Sequence, residues 1–188
     1  VDIEGFVTDF LKLPLLYRSF AEEDSDKIGF IADGSTPLCV YENGEIKNRI
    51  YPRGTIVIER CLRREHESGR RRFTISHECA HYIMDRAFPS AAFHREFDNE
   101  RIYSQEDFKN LFSFRETQID RMGAALLMPR FMVHNVMISH GCSSCIPVFG
   151  DSILKLTDKR LIRQMANTMG VSFSAFLIRL RELGCLCY

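Results

Sequence analysis

The sequence predicts an α+β fold: a small, mostly antiparallel sheet with an N-terminal helix, followed by longer helices. Three observations lead there. Short strand-like runs cluster between residues 28 and 59, and longer stretches with helical apolar spacing fill the chain after residue 71. Asn43-Gly44 separates two of the strand-like runs, and such a pair supplies the positive φ angles of a tight hairpin turn.

Residues 2–18 place Ile3, Phe6, Val7, Phe10 and Leu11 at helical spacing, so a helix is expected, broken or kinked at Pro14. Glu22-Glu23-Asp24-Ser25-Asp26 reads as a solvated acidic loop. Ile28 to Ala32, Leu38 to Tyr41, Ile46 to Ile50 and Thr55 to Glu59 read as strands, with turns at Asp33-Gly34 and Arg53-Gly54. Arg60 to Arg72 is an Arg-rich approach to a helix, more in keeping with a solvated run than with a phosphate site. That helix is expected from about residue 71 to 85. Residues 88–114, polar and aromatic with weak periodicity, suggest a loop with a short helix. Thr117 to Met128 should be helical up to Pro129, and Phe131 to Ser139 up to Gly141. After a Cys/Pro/Gly loop over 142–152, residues 157–183 read as two helices around Gly170. The expected organisation is a main domain over 1–140, with a helical unit over 141–188 packed on it.

Composition sets outer limits. The chain has 188 residues, 45% of them hydrophobic, enough for one domain with a real core. Lys plus Arg and Asp plus Glu both total 25. A neutral chain has no global attraction to nucleic acid or an anionic membrane. No apolar run approaches the roughly 18 residues of a membrane span. The apolar stretch from Phe6 to Leu16 is interrupted by Asp9 and Lys12 and lacks an export-signal pattern, so it reads as a packing helix. Seven cysteines, an odd number, fit free thiols in a reducing compartment, and the cytoplasm is the expected location.

The strongest local pattern is His77-Glu78-Cys79-Ala80-His81. Residues four apart share a helix face, so His77 and His81 can reach one zinc ion. Glu78 is offset by one position, beside the metal, where it can act as general base toward water. Phe73-Thr74-Ile75-Ser76 and Tyr82-Ile83-Met84 flank the motif. Ionisable groups on so apolar a helix are costly unless something pairs with them. Cys79 should point away from the metal.

A catalytic zinc needs a third protein ligand and an open position. The downstream candidates are His94, Glu96, Asp98, Glu100, Glu106, Asp107, Glu116, Asp120, His134 and His140. Glu116 is favoured as the acid opening a helix that carries Asp120, Gly123, Ala124 and Ala125, small residues that permit close approach to the His-bearing helix. A plain N-terminal helix acid is an equally good account of it. Asp120, one turn on, is placed to accept the free imidazole N–H of a ligand histidine.

With Arg72 to His81 and Glu116 to Pro129, the latter ending Leu126-Leu127-Met128-Pro129, the chain resembles the ImmA/IrrE family of metallopeptidases. Thr55 to Ile58, and more loosely Val171-Ser172 and Arg179-Leu180-Arg181, extend the resemblance over about residues 2–185. Cys79-Ala80 stands where Leu-Gly is commoner, and Gln118-Ile119-Asp120 where many members have Glu-Ala-Asn. The resemblance implies zinc held by His77, His81 and Glu116, with Glu78 as catalytic base. It also implies an endopeptidase acting on a partner protein, a helix-turn-helix transcriptional repressor, and so relieving repression. Thr55 to Glu59 could serve as an edge strand for extended substrate. Tyr82, Tyr103, His134 and His140 are candidates to stabilise the oxyanion.

Two weaker patterns remain. Cys142-x-x-Cys145 and Cys185-x-Cys187 could form a structural metal site, although the second spacing is short and free thiols are the default reading. Residues 158–183 have a helix-turn-helix outline. The second helix opens on Ser172-Phe173-Ser174-Ala175-Phe176, too apolar for base reading, so protein packing is favoured over DNA contact. The alternatives to a peptidase are a zinc-bearing module that sequesters a regulator, and a DNA-binding regulator.

Overall fold

The computed structural model describes residues 1–21, 27–87, 105–142, 144–149 and 153–188, with side chains from Phe114 onward in the helix that begins at Gln105. The expected acidic loop at 22–26 and residues 88–104 of the expected 88–114 segment lie outside the described residues, and so do His94, Glu96, Asp98, Glu100 and Tyr103.

The fold is α+β. A short helix α1 (Ile3–Gly5), continued by a π-turn over Phe6–Phe10, starts at Asp2, whose side chain accepts from Gly5 N–H. The helix does not reach residue 18 as the apolar spacing suggests. Lys12 takes a φ of +57°, and after Pro14 the chain becomes strand β1 (Leu15–Phe20). Proline cannot continue a helix. Leu15 to Arg18 find their hydrogen-bond partners along a strand far ahead in sequence, at 56–59. Strands β2 (Gly29–Ile31), β3 (Leu38–Glu42), β4 (Glu45–Arg49) and β5 (Ile56–Glu59) complete the sheet. Its order is β2-β5-β1-β3-β4. β1 and β5 run parallel, and the other pairs are antiparallel. The β3–β4 turn has Asn43 at φ +55° and Gly44 at φ +82°, as the Asn-Gly signal requires.

β5 is interior, which corrects its reading as an edge strand. Ile56, Val57 and Ile58 are wholly buried, and a continuous apolar run of this kind marks a strand covered on both faces. Ile56 and Ile58 face the main core with Ile75, Cys79, Leu127, Val133 and Phe176. Val57 faces the smaller cluster with Leu38 and Val40.

Two short 3-10 turns, Arg60–Arg63 and Glu65–Glu67, lead into α2 (Ser68–Ala87), which begins earlier than its apolar pattern indicates. α3 (Gln105–Leu127) lies against α2, and α4 (Arg130–Ser139) follows Pro129. β6 (Ile146–Pro147), α5 (Leu156–Met169), α6 (Phe173–Glu182) and β7 (Leu186–Cys187) close the chain. Ile162, Met165, Phe176 and Leu180 from α5 and α6 belong to the same buried cluster as Ile3 and Ile75. Among the described residues, no helix is long and apolar enough to cross a membrane.

Candidate metal and catalytic site

α2 sets His77 and His81 on one face, while Thr74, Ile75, Glu78 and Cys79 turn toward the protein interior. Cys79 packs in the main core, and burial pushes its thiol up to about 11, so it stays a protonated, apolar side chain. Opposite the histidines stands Glu116 from α3. The three donor atoms form a triangle: His77 Nε2 to His81 Nε2 is 3.1 Å, His77 Nε2 to Glu116 Oε2 is 3.5 Å, and His81 Nε2 to Glu116 Oε2 is 3.6 Å. Two ligands about 2.0–2.1 Å from a tetrahedral zinc lie roughly 3.4 Å apart. The triangle therefore has the edge lengths of such a site. Two nitrogens and a carboxylate oxygen are also the right donor set, with a fourth position left open.

The tautomer suits a ligand role. Asp120 Oδ1 accepts from His77 Nδ1 at 2.9 Å, which leaves the Nε2 lone pair directed at the triangle. Burial first, and the neighbouring His77 second, lower the His81 pKa, so its imidazole is neutral and free to donate a lone pair.

The close approach of α3 rests on Gly123. A Cβ there would meet His77 N at 3.3 Å and Ser76 C at 3.4 Å, so the two backbones touch at the first histidine. Glu116 stands mid-helix, not at the N-terminus expected from the sequence, because α3 begins at Gln105. The helix-dipole argument for Glu116 therefore fails, and its place comes from packing. The polar residues before it join the helix because extending an existing helix is far easier than nucleating one.

Glu78 is 8% exposed and sits beneath β2. Burial, then the charge of Glu116, raise its pKa to about 8, and a hydrogen bond from the Ile31 backbone acts in the opposite direction. Gly29 makes room for it. A Cβ at 29 would lie 2.6 Å from Thr74 Cγ2 and closer still to Glu78 Oε1. Sequence reading passed over Gly29, although an isolated glycine inside a strand-like run is the usual mark of close approach.

The other expected residues are scattered. Tyr82 OH accepts from Arg86 Nη1 at 2.8 Å. His140 Nε2 is 3.0 Å from Thr168 Oγ1, and His134 Nε2 is 4.0 Å from Cys185 Sγ, so both face the C-terminal segment. Arg179, in the C-terminal unit expected to pack on protein, donates to Met128 O at 3.0 Å and pairs with Glu182. Cys145 and Cys187 form a disulfide, which corrects the expectation that all seven cysteines are free. A cleft of about 1230 Å³ between α2, α3 and α6 meets the site at Thr117 and Asp120.

Comparison with known sequences adds two findings. Residues 12–181 match the IrrE N-terminal-like domain, a peptidase family. No curated protein matches the chain.

Proposed function

The chain belongs to the IrrE N-terminal-like family of metallopeptidases, and from that premise we propose that it is a zinc-dependent endopeptidase whose metal is held by His77, His81 and Glu116. The observation that carries this reading is the donor triangle, with edges of 3.1, 3.5 and 3.6 Å. When bound, zinc supplies Lewis acidity and positive charge, which lower the pKa of water at its open position and polarise a carbonyl.

Glu78 is the base: its carboxylate takes a proton from the attacking water and passes it to the leaving amine. Asp120 keeps His77 in the tautomer that presents Nε2. The outer strand beside the site is β2, in place of β5. Ala32 N donates to Thr55 O and Glu59 N donates to Ile28 O, so Ile28 and Ala32 turn their backbone groups toward β5. By the alternation of an antiparallel pair, Gly29 and Ile31 turn theirs outward. An extended substrate pairing with the outward groups of Gly29 would run past Glu78, to which the Ile31 N–H already donates.

The substrate is a partner protein, a helix-turn-helix transcriptional repressor, as the resemblance to ImmA/IrrE peptidases implies. The cytoplasm, where such a repressor acts, is the matching location. Sequestration without cleavage is the competing reading, and one substitution separates the two. Glu78→Gln should keep its zinc yet cleave the co-encoded repressor about 10²- to 10⁴-fold more slowly by mass spectrometry of products. His77→Ala should lose both zinc and cleavage. Zinc-loaded Glu78→Gln that relieves repression as well as wild type would favour sequestration.

A further inference from the structure

Four cysteines outside the candidate site converge on one corner of the fold, carried there by two helix ends built alike. After α4 comes Gly141, φ +76°, and then Cys142, whose N–H donates back to Met137 O at 2.8 Å. After α6 comes Gly184, φ +69°, and then Cys185, whose N–H donates back to Leu180 O at 2.8 Å. In each case the left-handed glycine turns the chain off its helix, and the next residue fastens it back. The two exits then run side by side. β6 and β7 pair in parallel, Ile146 beside Leu186 and Pro147 beside Cys187. Cys185 stands immediately before β7, with His134 beside its sulfur, and Cys145 is bonded to Cys187 across the pair.

The remaining two sulfurs, of Cys142 and Cys185, are free thiols. They are near enough to interact electrostatically. Cys142 Sγ donates to Ser144 O at 3.2 Å within its own loop, and His134 Nε2 stands 4.0 Å from Cys185 Sγ, able to donate to a thiolate there.

We propose that in the reduced chain Cys142, Cys145, Cys185 and Cys187 form a second, structural metal site for a thiophilic divalent ion, zinc in the first place. Cys-x-x-Cys is a recurrent half-site for zinc, and soft thiolates select it. The second half-site, Cys185-x-Cys187, is shorter than the usual spacing, but the β6–β7 pairing and the Cys145–Cys187 link bring it beside the first. The site would hold the C-terminal β7 to the exit of α4, joining residues 42 apart in sequence. A dithiol opens the Cys145–Cys187 bond by supplying two electrons and two protons and leaves as its own disulfide. A phosphine supplies the two electrons, water supplies the two protons, and the phosphine takes up the water oxygen and leaves as its oxide. Metal binding then displaces the thiol protons.

The test uses the full chain, reduced with a phosphine, freed of metal and titrated with Co²⁺. His81→Ala disables the histidine site and leaves every cysteine in place. That variant should still bind one Co²⁺, with strong sulfur-to-metal charge-transfer absorption that Zn²⁺ abolishes. Four thiols should become protected from a thiol reagent as metal binds. Cys142→Ser combined with Cys185→Ser, in a wild-type background, should lose the charge-transfer band. Absence of the band in His81→Ala, or thiols that stay reactive in the presence of metal, overturns the proposal. The decisive spectrum needs no cysteine replaced, so a misfolded serine variant does not weaken it.

Discussion

Glu78 follows His77 directly and lies almost out of reach of water, and its protonation follows from that position. Burial raises its pKa from the ordinary 4.5 to about 8 in the metal-free protein. The unfolded chain releases this proton near the ordinary value, whereas the folded chain keeps it until about pH 8. Between those limits the native state binds more protons than the unfolded state, so stability falls as pH rises and then levels off. Metal-free wild type should therefore lose on the order of a few kcal/mol from about pH 5 to pH 8 relative to Glu78→Gln, by urea denaturation. Parallel pH curves for the two proteins would mean that Glu78 is not desolvated. His77, Glu78 and His81 were legible in sequence because their spacing is a property of a single helix turn. Glu116 was not legible on spacing, since an acid 35 residues after His81 can reach it only through a fold.

α2 and α3 meet at a contact where even a Cβ on Gly123 would press on the α2 backbone, at 3.3 Å from His77 N. Gly123 touches the α2 backbone at Ser76 and His77, and Glu116 stands two turns before it on the same helix. Gly123→Leu should force the helices apart at an overpacking cost of about 1–3 kcal/mol. It should also draw Glu116 away from the histidines and weaken metal affinity by roughly 10-fold or more. Chelator competition measures the affinity, and circular dichroism checks that helix content is kept. Unchanged affinity would show that Glu116 is not positioned by this contact. The small residues after Glu116 carried this close approach in sequence. The strand character of Leu15 to Phe20 did not show, because it depends on parallel pairing with β5, a partner some 40 residues away.

Across the whole molecule, Arg72 joins three distant parts of the chain. Its guanidinium donates to Val1 O at 2.9 Å, to Met169 O at 3.1 Å and to Gly170 O, linking the N-terminus, α2 and the end of α5. Arg72→Ala should cost roughly 2–4 kcal/mol, since three carbonyls lose a charged donor. Arg72→Lys should recover only part of that, because a single ammonium cannot span the fork. Urea denaturation of both variants checks the order, and an unaffected Arg72→Ala protein would mean that these ends are held by apolar packing alone.

The amino-acid sequence by itself determined the features that depend on near neighbours: the Asn43-Gly44 hairpin, the shared face of His77 and His81, the helix stops at Pro129 and Gly170, and the α+β class. Only the tertiary structure decided which groups from distant segments meet. It put β5 inside the sheet and β2 outside, set Glu116 mid-helix against two histidines, made Gly29 the space Glu78 occupies, and brought Cys145 to Cys187. The physical reason is one of range. Helix and turn geometry act over about four residues, whereas strand order and donor clusters follow from burying one shared apolar core that runs from Ile3 to Leu186.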